Sequence, residues 1–196
     1  MATTSATRSR IQLRSALETL RRIRRDDEVI ITTMGSAREW MTLGEPHALD
    51  FILVPSAMGH GTSIGLGLAL AQPDKRVIVC SGDGSLLMNL GSLASIVAAN
   101  VPNLAVIVFD NGVYEVTGQQ PTANADFCGV ARACGFDSVH PFTDSTSWSN
   151  GARSALDAKG PTFVSLNVEP VIGGTAPHSP GPTAARAKRF MEALRR

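Results

Sequence analysis

An aspartate between two glycines, Gly82-Asp83-Gly84, closely follows an apolar run that ends at Cys80. Glycine has no Cβ, so the backbone here can approach a ligand closely, and Ser85 can cap the helix that follows. Free N–H groups at the start of a helix suit a phosphate, but Asp83 alone would repel one. A divalent cation between carboxylate and phosphate resolves this conflict, and Mg²⁺ is the usual choice for oxygen ligands. A plain Gly-Asp-Gly turn with a helix cap is the simpler alternative.

A second group of oxygen donors follows the next apolar run, after an interval of 25 residues (85–109). Asn111 offers an amide oxygen, and Gly112 lets the chain turn so that a backbone carbonyl, predicted to be that of Val113, faces the same cation. With Asp83 and two phosphate oxygens, these donors would nearly complete the octahedron of Mg²⁺ and leave its last position to water. A common Asn-Gly turn is the alternative for this stretch.

Two further loops stand between an apolar run and a helix-like stretch. Residues 54–71 are rich in glycine and carry Ser56, Met58 and His60, and residues 32–39 contain Gly35-Ser36. For residues 54–71, the alternative is close helix packing around Met58, with His60 as a structural histidine. Residues 32–39 are, taken alone, equally well explained by an ordinary helix cap.

The elements that must position these loops alternate along the chain. Strands are predicted at Val29–Thr33, Phe51–Val54, Arg76–Cys80, Leu104–Phe109 and Thr162–Val168, and helices at about 36–42, 60–71, 86–99, 125–134, 145–158 and 184–195. Apolar, β-branched strands separated by helices predict an α/β fold, a doubly wound, mainly parallel sheet with helices on both faces. Ligands of such sheets bind at the carboxyl ends of the strands, where the four loops lie.

Composition limits the classes of function. Charged residues make up 18% of the 196 residues and the net charge is +1, so bulk charge predicts binding to neither nucleic acid nor membrane. No apolar run approaches the ~18 residues of a membrane span, and the N-terminus lacks the apolar stretch of a signal peptide. The three cysteines, Cys80, Cys128 and Cys134, show no C-x-x-C spacing and are expected to be buried, reduced thiols in a cytoplasmic protein.

The two ends of the chain differ from its middle. Residues 1–8 are expected to be a disordered lead, and Ser9–Arg25 forms an amphipathic helix whose arginines are either a solvated face or a contact for an acidic partner. Residues 173–182 form a breaker-rich linker that is expected to carry the last helix away from the main body. The predicted division is therefore 1–25, 26–172 and 173–196.

Gly-Asp-Gly, 25 residues and then Asp110-Asn111 together resemble the diphosphate signature of thiamine-diphosphate enzymes. Asp110 replaces the first of two asparagines in that signature, but the resemblance assigns metal binding to the second. It implies the thiamine-diphosphate-binding fold, thiamine diphosphate and Mg²⁺ as cofactors, and a role for Met58 as the wedge that bends the cofactor. The implied residues are Asp83, Asn111 and Val113 for the metal; Gly35, Ser36, Ser56, Met58, Gly82, Gly84, Ser85 and Val116 for the cofactor; and His60 as a catalytic candidate that contacts substrate or cofactor.

The resemblance covers residues 29–170 and only the pyrophosphate-binding domain of such enzymes. Their pyrimidine-binding domain, which supplies a catalytic glutamate, has no room in 196 residues. An alpha-type partner subunit carrying that domain is therefore implied, in an α2β2 or larger complex. The stretches 56–71 and 82–122 resemble the decarboxylases of sulfopyruvate and phosphonopyruvate, which implies a small anionic 2-oxoacid as substrate and an aldehyde and CO₂ as products.

Three alternatives stay open. The chain could be half of an acetolactate-synthase-like enzyme, the beta subunit of an oxoacid oxidoreductase, or a non-catalytic diphosphate-binding module. The cysteines lack the spacing of an iron–sulfur site, which disfavours the oxidoreductase. Glu115 argues against the assignment of an anionic substrate, because an acid beside such a substrate would repel it.

Overall fold

The computed structural model describes residues 10–53 and 57–196. In these residues six strands form one sheet in the order β2-β1-β3-β4-β6-β5, and every neighbouring pair is parallel. The strands are β1 (Val29–Thr33), β2 (Asp50–Leu53), β3 (Val77–Gly82), β4 (Leu104–Asp110), β5 (Ser138–Phe142) and β6 (Thr162–Asn167). The helices are α1 (Leu13–Ile23), α2 (Met34–Trp40), α3 (Gly61–Ala71), α4 (Asp83–Leu87), α5 (Gly91–Ala99), α6 (Phe127–Cys134), α7 (Ser145–Leu156) and α8 (Thr183–Leu194).

Helices cover both faces of the sheet, which confirms the doubly wound α/β prediction. One buried cluster joins Ile78 and Ile107 of the sheet to α1, α2 and α7. The other joins Val79 and Val106 to α3, α5, α6 and α8. Successive residues of a strand point to opposite faces, so apolar runs such as β3 are buried on both sides.

Glycines let α3 lie close against the sheet. A Cβ built on Gly65 would come closer than 3.0 Å to the side chain of Val79, and one on Gly61 would lie 3.0 Å from Thr33 Cγ2. The glycine-rich composition of this helix therefore has a packing cause.

β5 was not predicted from the sequence. It lies at one edge of the sheet, beside β6, and its residues are only partly buried. Pro141 lacks an N–H and breaks any apolar run, and edge strands are where a sheet tolerates proline. Sequence patterns detect such strands poorly, because burial on both faces is what produces a continuous apolar run.

The helix predicted at 86–99 is in fact two helices, α4 and α5. Asn89, between them, donates from its side chain to Gly59 O at 2.9 Å and to Ser63 Oγ at 3.1 Å. Its carbonyl accepts from Ser92 Oγ at 2.7 Å. Contacts with a segment 30 residues away thus interrupt the helix.

The N-terminal helix packs onto the body of the protein. Its apolar face is buried, and Trp148 donates from Nε1 to Ala16 O at 3.0 Å. The expected solvated arginine face is only partly correct. Arg24 pairs with Asp50, and these side chains are just 8% and 1% exposed, whereas Arg25 pairs with Asp157 near the surface.

The last helix also packs onto the body, so the expectation that the linker carries it away is wrong. The ring of Phe190 lies 4.7 Å from that of Phe51, between centroids, and is buried in the core. Arg186 donates to Ile52 O on the edge strand β2. Burial of the Phe190 ring stabilises the packing of α8 onto the body. The breaker residues of the linker gave no indication of this contact.

Two remaining predictions concern cysteines and membranes. Cys80 is buried, but Cys128 and Cys134 are only half-buried, so the expectation of three buried thiols holds for one. In the part of the chain that is described, no helix has the length and apolar character needed to cross a membrane.

Candidate functional site

The carboxyl ends of β1, β3 and β4 meet at one edge of the sheet. Gly82 at the end of β3 is in register with Phe109 of β4, so the loops that follow these strands lie side by side. A pocket opens between them. Its lining includes ten of the residues predicted from the sequence: Gly35, Ser36, Met58, Gly82, Asp83, Gly84, Ser85, Asn111, Val113 and Val116.

Asp83 is buried at the base of this pocket, with 1% of its surface exposed. Its Oδ1 accepts the N–H of Gly84 at 2.8 Å, and its Oδ2 accepts the N–H of Gly112 at 2.9 Å and the hydroxyl of Thr122 at 3.1 Å. The bond to Gly112 ties the carboxylate to the loop that contains Asn111. Asp83 and Asn111 are therefore close, as the motif spacing predicts.

A second carboxylate lies beside the first. Burial raises the pKa of Asp83, although hydrogen bonds from Gly84, Gly112 and other neighbours oppose the shift. Burial also raises the pKa of Asp110 to about 6, and the charge of Asp83 adds to the effect. Two desolvated carboxylates repel each other when both are ionised, and a bound cation would offset that repulsion.

The side-chain amide of Asn111 is held at both ends. Its Oδ1 accepts the N–H of Val113 at 2.9 Å, and its Nδ2 donates to Glu115 Oε2 at 3.0 Å. An amide oxygen has two lone pairs, so Oδ1 keeps one for a further partner. The carbonyl of Val113 accepts the N–H of Glu115 at 2.9 Å and likewise keeps a lone pair.

Glu115 was expected to conflict with an anionic substrate, but its charge is compensated within the protein. Arg38 Nη2 donates to Glu115 Oε1 at 2.7 Å, and the N–H of Val171 donates to Oε2 at 2.9 Å. Burial lowers the pKa of Arg38, but the hydrogen bonds and charges of Glu115 and Glu39 outweigh it and raise that pKa above its ordinary value. Glu115 is thus the buried member of an ion pair rather than a free negative charge.

The two glycines of the Gly-Asp-Gly motif serve different needs. A Cβ on Gly84 would lie 2.6 Å from Tyr114 Cδ1, so close packing requires glycine there. A Cβ on Gly82 would meet nothing within 4 Å. The backbone of Gly82 is extended, with φ −80° and ψ 158°, so neither conformation nor packing requires glycine at this position. The missing side chain leaves open space in the pocket.

The loop before α3 is tied to the start of α4. Ser85 Oγ accepts the N–H of Gly59 at 3.0 Å, which holds the neighbouring Met58 at the pocket. The prediction that Ser85 caps the helix is wrong, because α4 begins at Asp83 and the Ser85 hydroxyl is engaged with this loop. Ser56 lies outside the described residues.

Gly35 and Ser36 lie in the first turn of α2 and also line the pocket. Ser36 Oγ lies 2.7 Å from Thr33 O and 2.9 Å from Cys80 O, to one of which it donates, and it accepts the N–H of Thr33 at 3.1 Å, so its hydroxyl serves the local fold. A Cβ on Gly35 would lie 3.2 Å from Glu115 Oε1. Glycine here therefore leaves room for this carboxylate.

His60 stands apart from the other predicted residues. It is exposed, directly precedes α3 and is not among the residues that line the pocket. Its position gives no support to a catalytic role.

Three residues contribute to the site but were not predicted as site residues: Thr122, Tyr114 and Arg38. Only the match of residues 117–122 gave an indication of Thr122.

Comparison with known proteins identifies the family. The model of the thiamine pyrophosphate enzyme, C-terminal TPP binding domain, matches residues 32–166. The chain belongs to this family. The matched range contains every residue of the pocket that was predicted from the sequence.

Its relatives include decarboxylases of two kinds. It is 43% identical over 148 residues to a phosphonopyruvate decarboxylase from Streptomyces viridochromogenes, covering 74% of this chain and 36% of that protein. It is 33% identical over 181 residues to the sulfopyruvate decarboxylase subunit beta from Methanocaldococcus jannaschii, covering 87% of this chain and 90% of that subunit. The chain thus spans about a third of the first protein and most of the second.

A solved structure shares the fold. The thiamine diphosphate-dependent 4-hydroxybenzoylformate decarboxylase of Rhodococcus jostii matches with a TM-score of 0.71 at 19% identity, covering 86% of this chain and 34% of that one. At this level of identity the likeness shows the fold alone.

The pocket fits a diphosphate held through a hard cation. The described residues contain no group of three His, Cys, Asp or Glu side chains able to hold a metal, so a cation at Asp83 needs amide and carbonyl oxygens as well. Asn111 Oδ1 and the Val113 carbonyl are such oxygens, and oxygen ligands suit Mg²⁺. The space over Gly82 gives phosphate groups room beside them.

Proposed function

We propose that this chain is the cofactor-holding, beta-type subunit of a thiamine-diphosphate-dependent 2-oxoacid decarboxylase. The observation that carries the proposal is the hydrogen bond from the Gly112 N–H to Asp83 Oδ2, at 2.9 Å. It brings the buried carboxylate to the Asn111 loop in a pocket that has open space above Gly82.

In this proposal Asp83, Asn111 Oδ1 and the Val113 carbonyl bind Mg²⁺, which in turn binds the diphosphate. Gly82, Gly84, Ser85, Gly35 and Ser36 surround the diphosphate, with Val116 beside it. Met58, whose loop is fixed by the Gly59–Ser85 bond, supports the bend between the cofactor rings. Ser56 is assigned a carbonyl contact to the aminopyrimidine ring.

Bound thiamine diphosphate would supply the nucleophilic carbon and the electron sink for loss of CO₂ from a 2-oxoacid. The contribution of this chain is binding and orientation. Its Asp83 and Asp110 carboxylates lie in a desolvated corner, where their attraction for a divalent cation is stronger than in water. The tie between Asn111 and the Glu115–Arg38 pair keeps the metal-binding loop in place before the cofactor arrives.

An alpha-type subunit with the pyrimidine-binding domain is proposed to supply the catalytic glutamate, in an α2β2 or larger complex. Two observations support a partner. A relative covered to 90% of its length is named as a beta subunit, whereas the phosphonopyruvate decarboxylase is covered only to 36%. Among the described residues that line the pocket, the two carboxylates, Glu115 and Asp83, are both held by hydrogen bonds within the chain.

The proposed substrate is 3-sulfopyruvate or phosphonopyruvate. The names of the relatives support both, and the Glu115–Arg38 pair removes the objection that a free acid would repel an anionic substrate. His60 is not proposed as catalytic, because it is exposed outside the pocket lining.

The test uses the chain with its natural partner. Tagged chain is expressed in its source cells, isolated with the subunits that co-purify, and supplied with thiamine diphosphate and Mg²⁺. Release of CO₂ is then measured from sulfopyruvate, phosphonopyruvate and, as the matched substrate without a terminal anion, pyruvate. We expect turnover of an anionic substrate by the complex and none by the chain purified alone.

Asp83→Ala tests the metal site directly. The variant should keep its sheet, because the hydrogen bonds to Asp83 come from Gly84, Gly112 and Thr122, which lie outside the strands. Its Mg²⁺-dependent binding of thiamine diphosphate should be lost, a larger effect than the roughly 100-fold that removal of a partner orienting a ligand can cost. Calorimetry of cofactor binding and thermal unfolding measure the two effects. Unchanged binding would exclude Asp83 as a ligand, and turnover by the isolated chain would exclude a partner's glutamate.

A further inference from the structure

We propose that Glu115 is a positioning residue for the metal site: it fixes the side-chain amide of Asn111 so that the oxygen, not the nitrogen, is available as a ligand. This inference rests on the proposed function, because it concerns the same Mg²⁺ site. Glu115 itself touches neither metal nor substrate in this proposal. It acts through Asn111.

The geometry leaves the Asn111 amide one satisfactory orientation. With Nδ2 donating to Glu115 Oε2 at 3.0 Å and Oδ1 accepting from the Val113 N–H at 2.9 Å, both ends are matched. Rotation by 180° would set Oδ1 against a carboxylate oxygen and Nδ2 against an N–H. Both new contacts would be repulsive, so the carboxylate selects the orientation that presents an oxygen ligand.

The negative charge of Glu115 is needed because three donors converge on two oxygens. Arg38 Nη2 donates to Oε1, while Asn111 Nδ2 and the N–H of Val171 donate to Oε2. A carboxylate accepts at both oxygens, whereas an amide accepts at only one. Glu115 is 8% exposed, so water replaces none of these bonds easily.

The ion pair also anchors the metal-binding loop to distant parts of the fold. Arg38 belongs to α2 and is 77 residues from Glu115 in sequence, and Val171 is 56 residues away. Partners that orient metal ligands in this way typically contribute about 10- to 100-fold to metal affinity. The loop from Asn111 to Glu115 is therefore held from outside the pocket.

Glu115→Gln separates this role from general packing. The glutamine oxygen would stay with the charged Arg38, so its amide nitrogen would face Asn111 Nδ2 and drive Asn111 to rotate. Adding Asn111→Asp should restore the contacts of residue 111, because one aspartate oxygen can accept from the glutamine nitrogen and the other from the Val113 N–H. The Val171 N–H, which also donates to Oε2, loses its acceptor in both variants, so it does not account for a difference between them. Glu39→Gln is the matched control: Glu39 also pairs with Arg38, at 3.1 Å, and its hydrogen-bond partner is Arg38 rather than Asn111.

The measurement is the Mg²⁺ concentration that half-saturates thiamine diphosphate binding in the co-purified complex, followed by tryptophan fluorescence without substrate. Glu115→Gln should raise this concentration at least about tenfold. The double variant should return to within about threefold of wild type, and Glu39→Gln should stay there. Thermal unfolding of each metal-free complex reports on its fold.

Each outcome decides the matter. Unchanged Mg²⁺ dependence in Glu115→Gln, or a double variant that needs as much Mg²⁺ as Glu115→Gln, overturns the positioning role while leaving the proposed function intact. A wild-type complex that binds no thiamine diphosphate at any Mg²⁺ concentration overturns the proposed function and this inference together. If Glu115→Gln does not fold, the double variant is compared with Asn111→Asp alone, and a higher Mg²⁺ requirement in the double variant counts against the role.

Discussion

Replacing Gly82 by alanine should weaken cofactor binding and leave the fold intact. The added Cβ would meet no protein atom within 4 Å, and the backbone has the extended conformation that alanine adopts readily. The methyl group would instead occupy the space that we assign to the diphosphate. A substitution at Gly82 therefore separates the effect on cofactor binding from the effect on stability.

The two magnitudes follow from that geometry. Replacing glycine by alanine at a compatible position restricts the unfolded chain and stabilises the protein by about 0.4–1 kcal/mol. Forcing a methyl group into a filled pocket costs about 1–3 kcal/mol, which weakens ligand binding by roughly 5- to 150-fold at 25 °C. The variant should therefore gain stability while it loses affinity.

The assay combines urea unfolding of the purified chain with calorimetric titration of thiamine diphosphate into the complex at saturating Mg²⁺. Gly67→Ala is the control, because this exposed glycine of α3 also has no atom within 4 Å of an added Cβ. It should stabilise the chain by up to about 1 kcal/mol and leave binding unchanged. Wild-type affinity in Gly82→Ala would show that the diphosphate does not lie over Gly82.

Two further predictions concern the core. Gly65→Ala should destabilise the chain by about 1–3 kcal/mol in urea unfolding, since the new methyl would overlap Val79; a variant as stable as Gly67→Ala would disprove close packing of α3. Iodoacetamide at pH 8 should modify Cys128 and Cys134 in the native chain long before Cys80, because Cys80 is buried and burial raises the pKa of its thiol. Mass spectrometry of the peptides measures this order, and early labelling of Cys80 would contradict it.

The strands and the pocket were predictable because their signals are local. β3 and β4 are apolar, β-branched runs that need no distant partner to be recognised. Their parallel pairing then brings Asp83 to the loop after Asn111, as the motif spacing predicts. Ligand roles for these residues stay predictions until binding is measured.

What escaped prediction depends on contacts between distant residues. Glu115 seemed misplaced because its partner Arg38 lies 77 residues away, and no local pattern links them. Asn89 interrupts a helix through bonds to the Met58 loop, although its neighbours have helical spacing. Phe190 draws the last helix back onto β2 after a linker whose composition indicates only a break.

The borders of the sheet have a consequence for assembly. On β5 the imino nitrogen of Pro141 cannot donate to an incoming strand, and on β2 the carbonyl of Ile52 is already taken by Arg186. A strand from another chain that paired with β2 or β5 would lack backbone hydrogen bonds at these points. We therefore expect any neighbouring subunit to contact the loops and helix surfaces of this molecule rather than to extend its sheet.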